Sequence, residues 1–164
     1  MKKISNSFEY EIYSSIDLLK IEDKELLNAA RAICKQAYAP YSSFFVGAAA
    51  RLSNGIIITG TNQENASFPA GICAERTLLA AASSVYNEHT IVKIAVSYEG
   101  KNIQSDHPIS PCGVCRQFLA EYESRVGFDV TLILGGQIGD VIIIPQLHAL
   151  LPLAFTANEL PKLF

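Results

Sequence analysis

The spacing of apolar residues along the chain predicts several amphipathic helices. In residues 23–38 the apolar side chains recur every three or four positions, and the acidic Asp23 suits the start of a helix. Residues 73–86, which are rich in alanine and leucine, and residues 112–124 and 145–150 predict three further helices, the last of them short. Helical segments are therefore expected along the whole length of the chain.

Short runs of β-branched and small apolar residues predict five strands between these helices. The runs are residues 45–52, 56–60, 91–98, 130–134 and 141–144. The Asn54-Gly55 pair between the first two runs is typical of a hairpin turn. The resulting order, α-β-β-α-β-α-β-β-α, predicts an α/β protein with α-β-α layers, in which helices flank a five-stranded mixed sheet.

Length and composition indicate one domain. With 164 residues, of which 49% are hydrophobic, the chain is long enough to bury one core and short for two. We expect residues 23–164 to form this single domain. The weakly periodic residues 1–22 are interpreted as an N-terminal extension, with a short strand or helical piece around residues 8–16.

The charge balance and the absence of long apolar runs disfavour several function classes. A formal net charge of -3 and a pI near 5.6 give no basic excess for binding a polyanion, so neither nucleic acid nor a membrane is an expected partner. The apolar runs fall short of the roughly 18 residues that a membrane span needs. The first residues lack the apolar core of an export signal. We therefore expect a cytoplasmic protein.

Three of the four cysteines occur in two short motifs that predict a zinc site. Cys73 opens a Cys-Ala-Glu-Arg motif, and Cys112 and Cys115 belong to Pro-Cys-Gly-Val-Cys. In a cytoplasmic chain Cys-x-x-Cys is more often metal-binding or redox-active than disulfide-bonded. Three thiolates beside the carboxylate of Glu75 suit a catalytic zinc that keeps one coordination position open. The fourth cysteine, Cys34, lies in a helical pattern and is expected to be a buried structural thiol.

The residues next to the predicted ligands have predicted roles of their own. Cys112 and Cys115, three positions apart at a helix start, would place both sulfurs on one face, and Cys73 would arrive from another helix. Glu75 is the predicted catalytic acid and base, because it is close enough to a ligand to move protons during hydrolysis. Arg76 would donate to a ligand sulfur and offset the negative charge of three thiolates.

A structural zinc site or a redox motif is the alternative for a lone Cys-x-x-Cys. A structural site would need a fourth protein ligand, for which the candidates are Cys34 and the three histidines, with His107 nearest to a motif. In a noncatalytic module stabilised by zinc, Glu75 would be dispensable. A deaminase of polynucleotides is disfavoured, because the chain is acidic and shows no basic, aromatic channel.

Five segments carry a resemblance to a known family. They read YSSFFVGAA at residues 41–49, NQENA at 62–66, CAERT at 73–77, PCGVCRQ at 111–117 and LLPLAF at 150–155. In order and spacing they resemble the short-chain, homotetrameric cytidine deaminases of the cytidine and deoxycytidylate deaminase superfamily. The resemblance covers roughly residues 25–163. It implies the cytidine deaminase-like fold, one zinc ion per chain, and hydrolysis of cytidine and deoxycytidine to uridine and deoxyuridine with release of ammonia, in pyrimidine salvage.

The resemblance also implies substrate contacts. Asn62 and Glu64 match the family's ligands of the ribose hydroxyls, which an amide and a carboxylate are suited to bind. Ala74 matches a residue whose backbone contacts the pyrimidine edge, and Phe44 matches the aromatic residue that packs on the base. Phe155 matches a phenylalanine that caps the pocket of a neighbouring subunit, which implies a homotetramer with shared sites.

Several departures from the family pattern leave the choice of substrate open. Phe45 replaces a common proline, and Phe68 stands where tyrosine is common. Residues 1–22 and the enlarged loop of residues 99–110 lie outside the family core. The nearest rival function is deamination of another aminopyrimidine nucleoside, such as blasticidin S, because the enzymes that act on it share both zinc motifs.

Overall fold

The computed structural model describes residues 1–161, which form one mixed β-sheet covered by helices on both faces. The helices are α1 (Ile21–Ile33), α2 (Ala74–Val85) and α3 (Gly113–Val126). The strands are β1 (Glu11–Tyr13), β2 (Phe44–Leu52), β3 (Ile57–Thr61), β4 (Ile91–Gly100), β5 (Thr131–Gly135) and β6 (Val141–Ile144). The predicted α/β fold with α-β-α layers is thus confirmed.

Within residues 1–161 the sheet has six strands, one more than the five predicted, in the order β1-β6-β5-β4-β2-β3. The additional strand, β1, comes from the predicted extension and pairs antiparallel with β6, so that Ile12 lies opposite Ile142. Three residues without clear alternation give little strand signal by themselves. These residues form a strand because they pair with the edge of β6, which is far away in sequence.

The two faces of the sheet carry separate cores. On one face α1 packs through Leu26 and Leu27 against side chains of the central strands. On the other face α2 and α3 pack through residues such as Leu78 and Leu119. Gly47 lets α1 approach β2 closely, because a Cβ atom there would lie 2.2 Å from the carbonyl oxygen of Ala30. A side chain at this position would therefore push α1 away from the sheet.

The helix boundaries follow the sequence pattern closely. The first predicted helix, residues 23–38, is α1 followed by a short 3₁₀ helix, Cys34–Gln36. The last predicted helix is a 3₁₀ helix, Leu147–Leu150. None of the helices within residues 1–161 has the length and apolar character that a membrane crossing would require.

Candidate metal centre and active site

The three predicted ligand sulfurs meet where two helices begin. Cys73 is the residue immediately before α2, and Cys112 is the residue immediately before α3. The Sγ atoms of Cys73 and Cys112 lie 3.7 Å apart, and those of Cys112 and Cys115 lie 3.5 Å apart. Both helix N-termini therefore point at the thiol cluster, where their positive ends favour thiolate charge.

The thiol cluster has the dimensions of a zinc site. A tetrahedral zinc ion with Zn–S bonds of about 2.3 Å holds its sulfur ligands about 3.8 Å apart. Within residues 1–161, the group of potential metal ligands formed here consists of these three cysteines, with all sulfurs within 4.8 Å of one another. Three protein ligands leave one position open, which is the arrangement of a catalytic zinc site.

Three of the four side chains considered as a fourth ligand, those of Cys34, His107 and His148, make other contacts. Cys34 is fully buried, and its thiol donates to the carbonyl oxygen of Ala30, one helical turn earlier. The Nδ1 atom of His107 lies 2.9 Å from an Asp106 oxygen. The Nδ1 atom of His148 lies 2.6 Å from a carboxylate oxygen of the buried Glu123, in the last turn of α3. These contacts favour the catalytic interpretation of the thiol cluster over the structural one.

The surroundings of the thiol cluster stabilise a negative charge on Cys73. A hydrogen bond from Cys115 lowers the pKa of the Cys73 thiol to about 6, and the nearby Arg76 charge acts in the same direction. The same interaction with Cys73, together with burial, raises the pKa of Cys115. The two shifts are opposite because Cys73 holds the charge and Cys115 keeps the proton. A metal cation would replace that proton and allow all three sulfurs to ionise.

Glu75 lies in the first turn of α2 and lines the cavity beside the thiol cluster. Its side chain is buried, with an exposed fraction of 5% for the residue. Burial raises the pKa of this carboxyl above its ordinary value. A raised pKa brings a carboxyl closer to the range in which it can both accept and donate a proton near neutral pH.

Arg76 contacts an aromatic ring on the neighbouring helix α3. Its guanidinium carbon lies 5.1 Å from the centre of the Phe118 ring, which α3 supplies. Its Nε atom is buried and has no hydrogen-bond partner within the described part of the chain. The contact that the structure gives Arg76 is thus a cation–π contact, and its donation to a ligand sulfur stays a prediction.

A cavity of about 620 Å³ opens beside the thiol cluster, at the end of the sheet where β2 begins and β3 and β4 end. This volume is typical of a site for a small molecule. The cavity brings together Glu75, Cys73 and Cys112 with the predicted base-packing residue Phe44. A polar molecule held in it would therefore lie next to both the metal ligands and the carboxyl group.

The predicted ribose ligands also line this cavity. The Asn62 side chain accepts a hydrogen bond from the Val46 amide at 2.7 Å and donates to the Phe44 carbonyl at 2.9 Å. Glu64 accepts hydrogen bonds from the Ser42 hydroxyl and from the amides of residues 41 and 42. These bonds, that from Ser42 above all, lower the pKa of Glu64 and keep it ionised.

Of the other two predicted substrate contacts, Ala74 lies at the cavity and Phe155 does not. Ala74, the first residue of α2, is fully buried and lines the cavity, so its backbone lies beside the site. Phe155 lies outside this cavity, in the C-terminal segment, where its carbonyl accepts a hydrogen bond from Gln117. The residue is 60% exposed. Phe155 is thus available to a second molecule and does not contact the cavity of its own chain.

The sequence patterns did not reveal some of the residues that shape the cavity. Ile109 and Ser110, at the end of the enlarged loop, form part of its wall. Their place just before the Pro-Cys-Gly-Val-Cys motif was the only signal for them. Ser42 was part of a matched motif, but its hydrogen bond to Glu64 depends on a contact between distant segments.

Thiol titration is expected to separate the buried Cys34 from the accessible thiols of the cluster. Burial raises the pKa of Cys34 to about 12, so that its reactive thiolate is scarce at pH 8. With the disulfide reagent DTNB, the zinc-loaded protein should show no fast thiol, and the zinc-free folded protein should show two, Cys73 and Cys112, because Cys115 is also fully buried and its pKa is raised. The unfolded protein should show four. Fast reaction of all four thiols in the folded, zinc-free protein would contradict this assignment.

Comparison with known proteins agrees with the site geometry. Residues 20–128 match the family model of the cytidine and deoxycytidylate deaminase zinc-binding region. A cytidine deaminase of Halalkalibacterium halodurans is 43% identical over 124 residues, which are 76% of this chain and 86% of that protein. The crystal structure of cytidine deaminase from Burkholderia pseudomallei has a TM-score of 0.68 and 38% identity, and the match covers 80% of this chain and 97% of that one.

A more distant relative bears on the choice of substrate. A blasticidin-S deaminase of Bacillus cereus is 27% identical over 139 residues, which are 84% of this chain and 94% of that protein. The identity to the Halalkalibacterium halodurans cytidine deaminase is higher. With its match to the family model and its three clustered cysteines, the chain belongs to the cytidine and deoxycytidylate deaminase family.

Proposed function

We propose that this protein is a zinc-dependent cytidine deaminase that converts cytidine and deoxycytidine to the uridine products with release of ammonia. The observation that carries this function is the position of Glu75, a buried carboxyl with a raised pKa that shares one cavity with Cys73 and Cys112, two members of the three-cysteine cluster. An acid and base beside an open metal position is the arrangement that hydrolytic deamination requires.

The reaction replaces the C4 amino group of the pyrimidine by oxygen from water. Zinc bound by Cys73, Cys112 and Cys115 would lower the pKa of a coordinated water to about 7 and so supply a nucleophile at neutral pH. Glu75 accepts the proton of the water that attacks C4 and delivers a proton to the ring nitrogen N3. Glu75 then accepts the remaining proton of the new C4 hydroxyl and passes it to the amino group, so that the C4 carbonyl forms, the C4–N bond breaks, and ammonia leaves.

The cavity residues account for recognition of a nucleoside. We assign the base to the Phe44 ring and to the backbone at Ala74, and the ribose hydroxyls to Asn62 and Glu64. Glu64 is ionised, and Asn62 is fixed by its two hydrogen bonds to β2, so both groups are oriented before a substrate arrives. Such preorganisation favours a ligand that has hydroxyl groups over a free base.

Turnover of a substrate panel by the zinc-loaded protein tests this function. Cytidine and deoxycytidine should lose their characteristic ultraviolet absorbance as uridine products form, whereas cytosine, which has no ribose, should react poorly. Preferential turnover of blasticidin S would assign the protein to the distant relative's reaction. Failure of every aminopyrimidine with zinc bound would favour a noncatalytic zinc module.

We also propose that the active form is a cytoplasmic homotetramer in which Phe155 caps the cavity of a neighbouring subunit. In this proposal residues 23–164 are the catalytic domain and residues 1–22 are an extension. Sedimentation should give a tetramer, and Phe155→Ala should lower kcat/KM for cytidine by at least about tenfold, because aromatic side chains at interfaces contribute strongly to binding. Full activity in a monomer would contradict the shared site.

A further inference from the structure

Tyr98 lies directly behind the cavity residue Phe44. It is one of the largest fully buried side chains, with an exposed fraction of 1%, and lies on the β4 face that also carries Val96. Phe44 pairs with Gly100, which has no side chain, and Val46 pairs with Tyr98. The Phe44 and Tyr98 rings are therefore diagonal neighbours on one face, and they stack with centroids 5.3 Å apart and planes 22° apart.

The enlarged loop holds the backbone of Tyr98 in place. The Ser105 hydroxyl donates to the Tyr98 carbonyl at 2.6 Å and accepts from the Gln137 amide at 2.9 Å. The Gln137 side chain also donates to the Tyr98 carbonyl, at 3.2 Å. The loop is thus tied both to the end of β4 and to the turn between β5 and β6.

The same loop also contacts the Tyr98 ring. The His107 ring meets it edge-on, with centroids 5.9 Å apart and planes 68° apart. Phe44 and His107 therefore both pack against Tyr98. Phe44 lines the cavity, whereas Tyr98 does not, so Tyr98 would act on a bound molecule only through Phe44.

We propose that Tyr98, held by the loop of residues 101–110, is a positioning residue that fixes the plane of the Phe44 ring against which the pyrimidine binds. This inference rests on the proposed function and gives the enlarged loop a role in it. Phe44 is the first residue of β2, and its strand partner Gly100 offers no side chain to restrain the ring. Without the stack, Phe44 can rotate into the space meant for the base, and binding must order it again.

Two substitutions of Tyr98 test this role. Tyr98→Leu removes the stacked ring and should raise KM for cytidine about three- to tenfold, the range that an aromatic pair contributes. kcat should change less than KM, because zinc and Glu75 are untouched, and the inhibition constant of the product uridine should rise in parallel with KM. Tyr98→Phe keeps the ring but loses the hydroxyl contacts with the Gln104 carbonyl and the His107 Nδ1 atom, both at 3.4 Å, and its KM should stay closer to that of the wild type than the KM of Tyr98→Leu does.

Leu52→Ala is the matched control for lost stability. Leu52 is buried in the core that α2 and α3 cover, at the far end of β2. Leu52→Ala should lower the melting temperature and leave the KM for cytidine equal to that of the wild type. A KM for Tyr98→Leu equal to that of this control would show a merely structural role and would overturn the proposal.

His107→Ala provides a second variant, whose folding is less at risk because the side chain is 65% exposed. It should raise KM in the same direction by about twofold, as expected for one weak aromatic contact. If Tyr98→Leu does not fold, an unchanged KM in His107→Ala overturns the proposal. Absence of turnover in the zinc-loaded wild type would instead refute the proposed function, so the two failures are distinguishable.

Discussion

Glu75→Gln is expected to reduce kcat for cytidine by about 10²- to 10⁴-fold or more, the contribution usual for a general acid and base. The amide has the size of the carboxyl but cannot accept and return a proton during the reaction. The fold should persist, because Glu75 is buried with a raised pKa and an uncharged side chain meets less resistance there. Steady-state kinetics with zinc analysis of the same sample would measure the effect.

Glu121→Gln is a suitable control for this change. Glu121 lies on the exposed side of α3 and does not line the cavity. Its substitution by glutamine removes one carboxylate, as Glu75→Gln does. Its kcat and zinc content should equal those of the wild type. Turnover of Glu75→Gln at the wild-type rate would remove Glu75 from the mechanism and restore the noncatalytic alternative.

Cys112→Ser is expected to abolish tight zinc binding and, with it, measurable turnover. Cys112 contacts both other members of the thiol cluster: its sulfur lies 3.7 Å from that of Cys73 and 3.5 Å from that of Cys115. A serine hydroxyl stays protonated at neutral pH and is a poor zinc ligand compared with a thiolate. Elemental analysis should show far less than one zinc ion per chain, and added zinc at micromolar concentration should not restore activity.

The zinc ion should also stabilise the folded chain, because its ligands come from the starts of α2 and α3. Cys112→Ser should therefore melt at a lower temperature than the zinc-loaded wild type. Cys34→Ala is the matched cysteine control, and it should keep one zinc ion per chain and normal kcat. Loss of zinc from Cys34→Ala, or its retention by Cys112→Ser, would refute the assigned ligand set.

The parts of the site that the sequence predicted depend on local structure. Cys73 and Cys112 each stand where a polar loop gives way to a helical pattern, and such starts are visible in the sequence. Three residues further, Cys115 is placed beside Cys112 by the helix itself. The sequence analysis also predicted one contact between distant segments, that of the two cysteine motifs, because a zinc site needs ligands from both.

The parts that the sequence did not predict depend on pairing between distant segments. Strand β1 forms because β6 has an edge to which it can pair, and three residues carry no such information. The stack of Phe44 on Tyr98 follows from the β2–β4 register and from the absence of a side chain at Gly100. A one-residue change of register would place the two rings on opposite faces of the sheet, and the sequence pattern does not fix register to that accuracy.

A zinc titration of the metal-free protein, with cytidine absorbance followed at each step, tests the central claim most directly. Turnover to uridine should rise in proportion to added zinc and level off at one zinc ion per chain, in agreement with one three-cysteine site. Cytidine turnover that does not depend on zinc, or no turnover once each chain holds one zinc ion, would contradict the account.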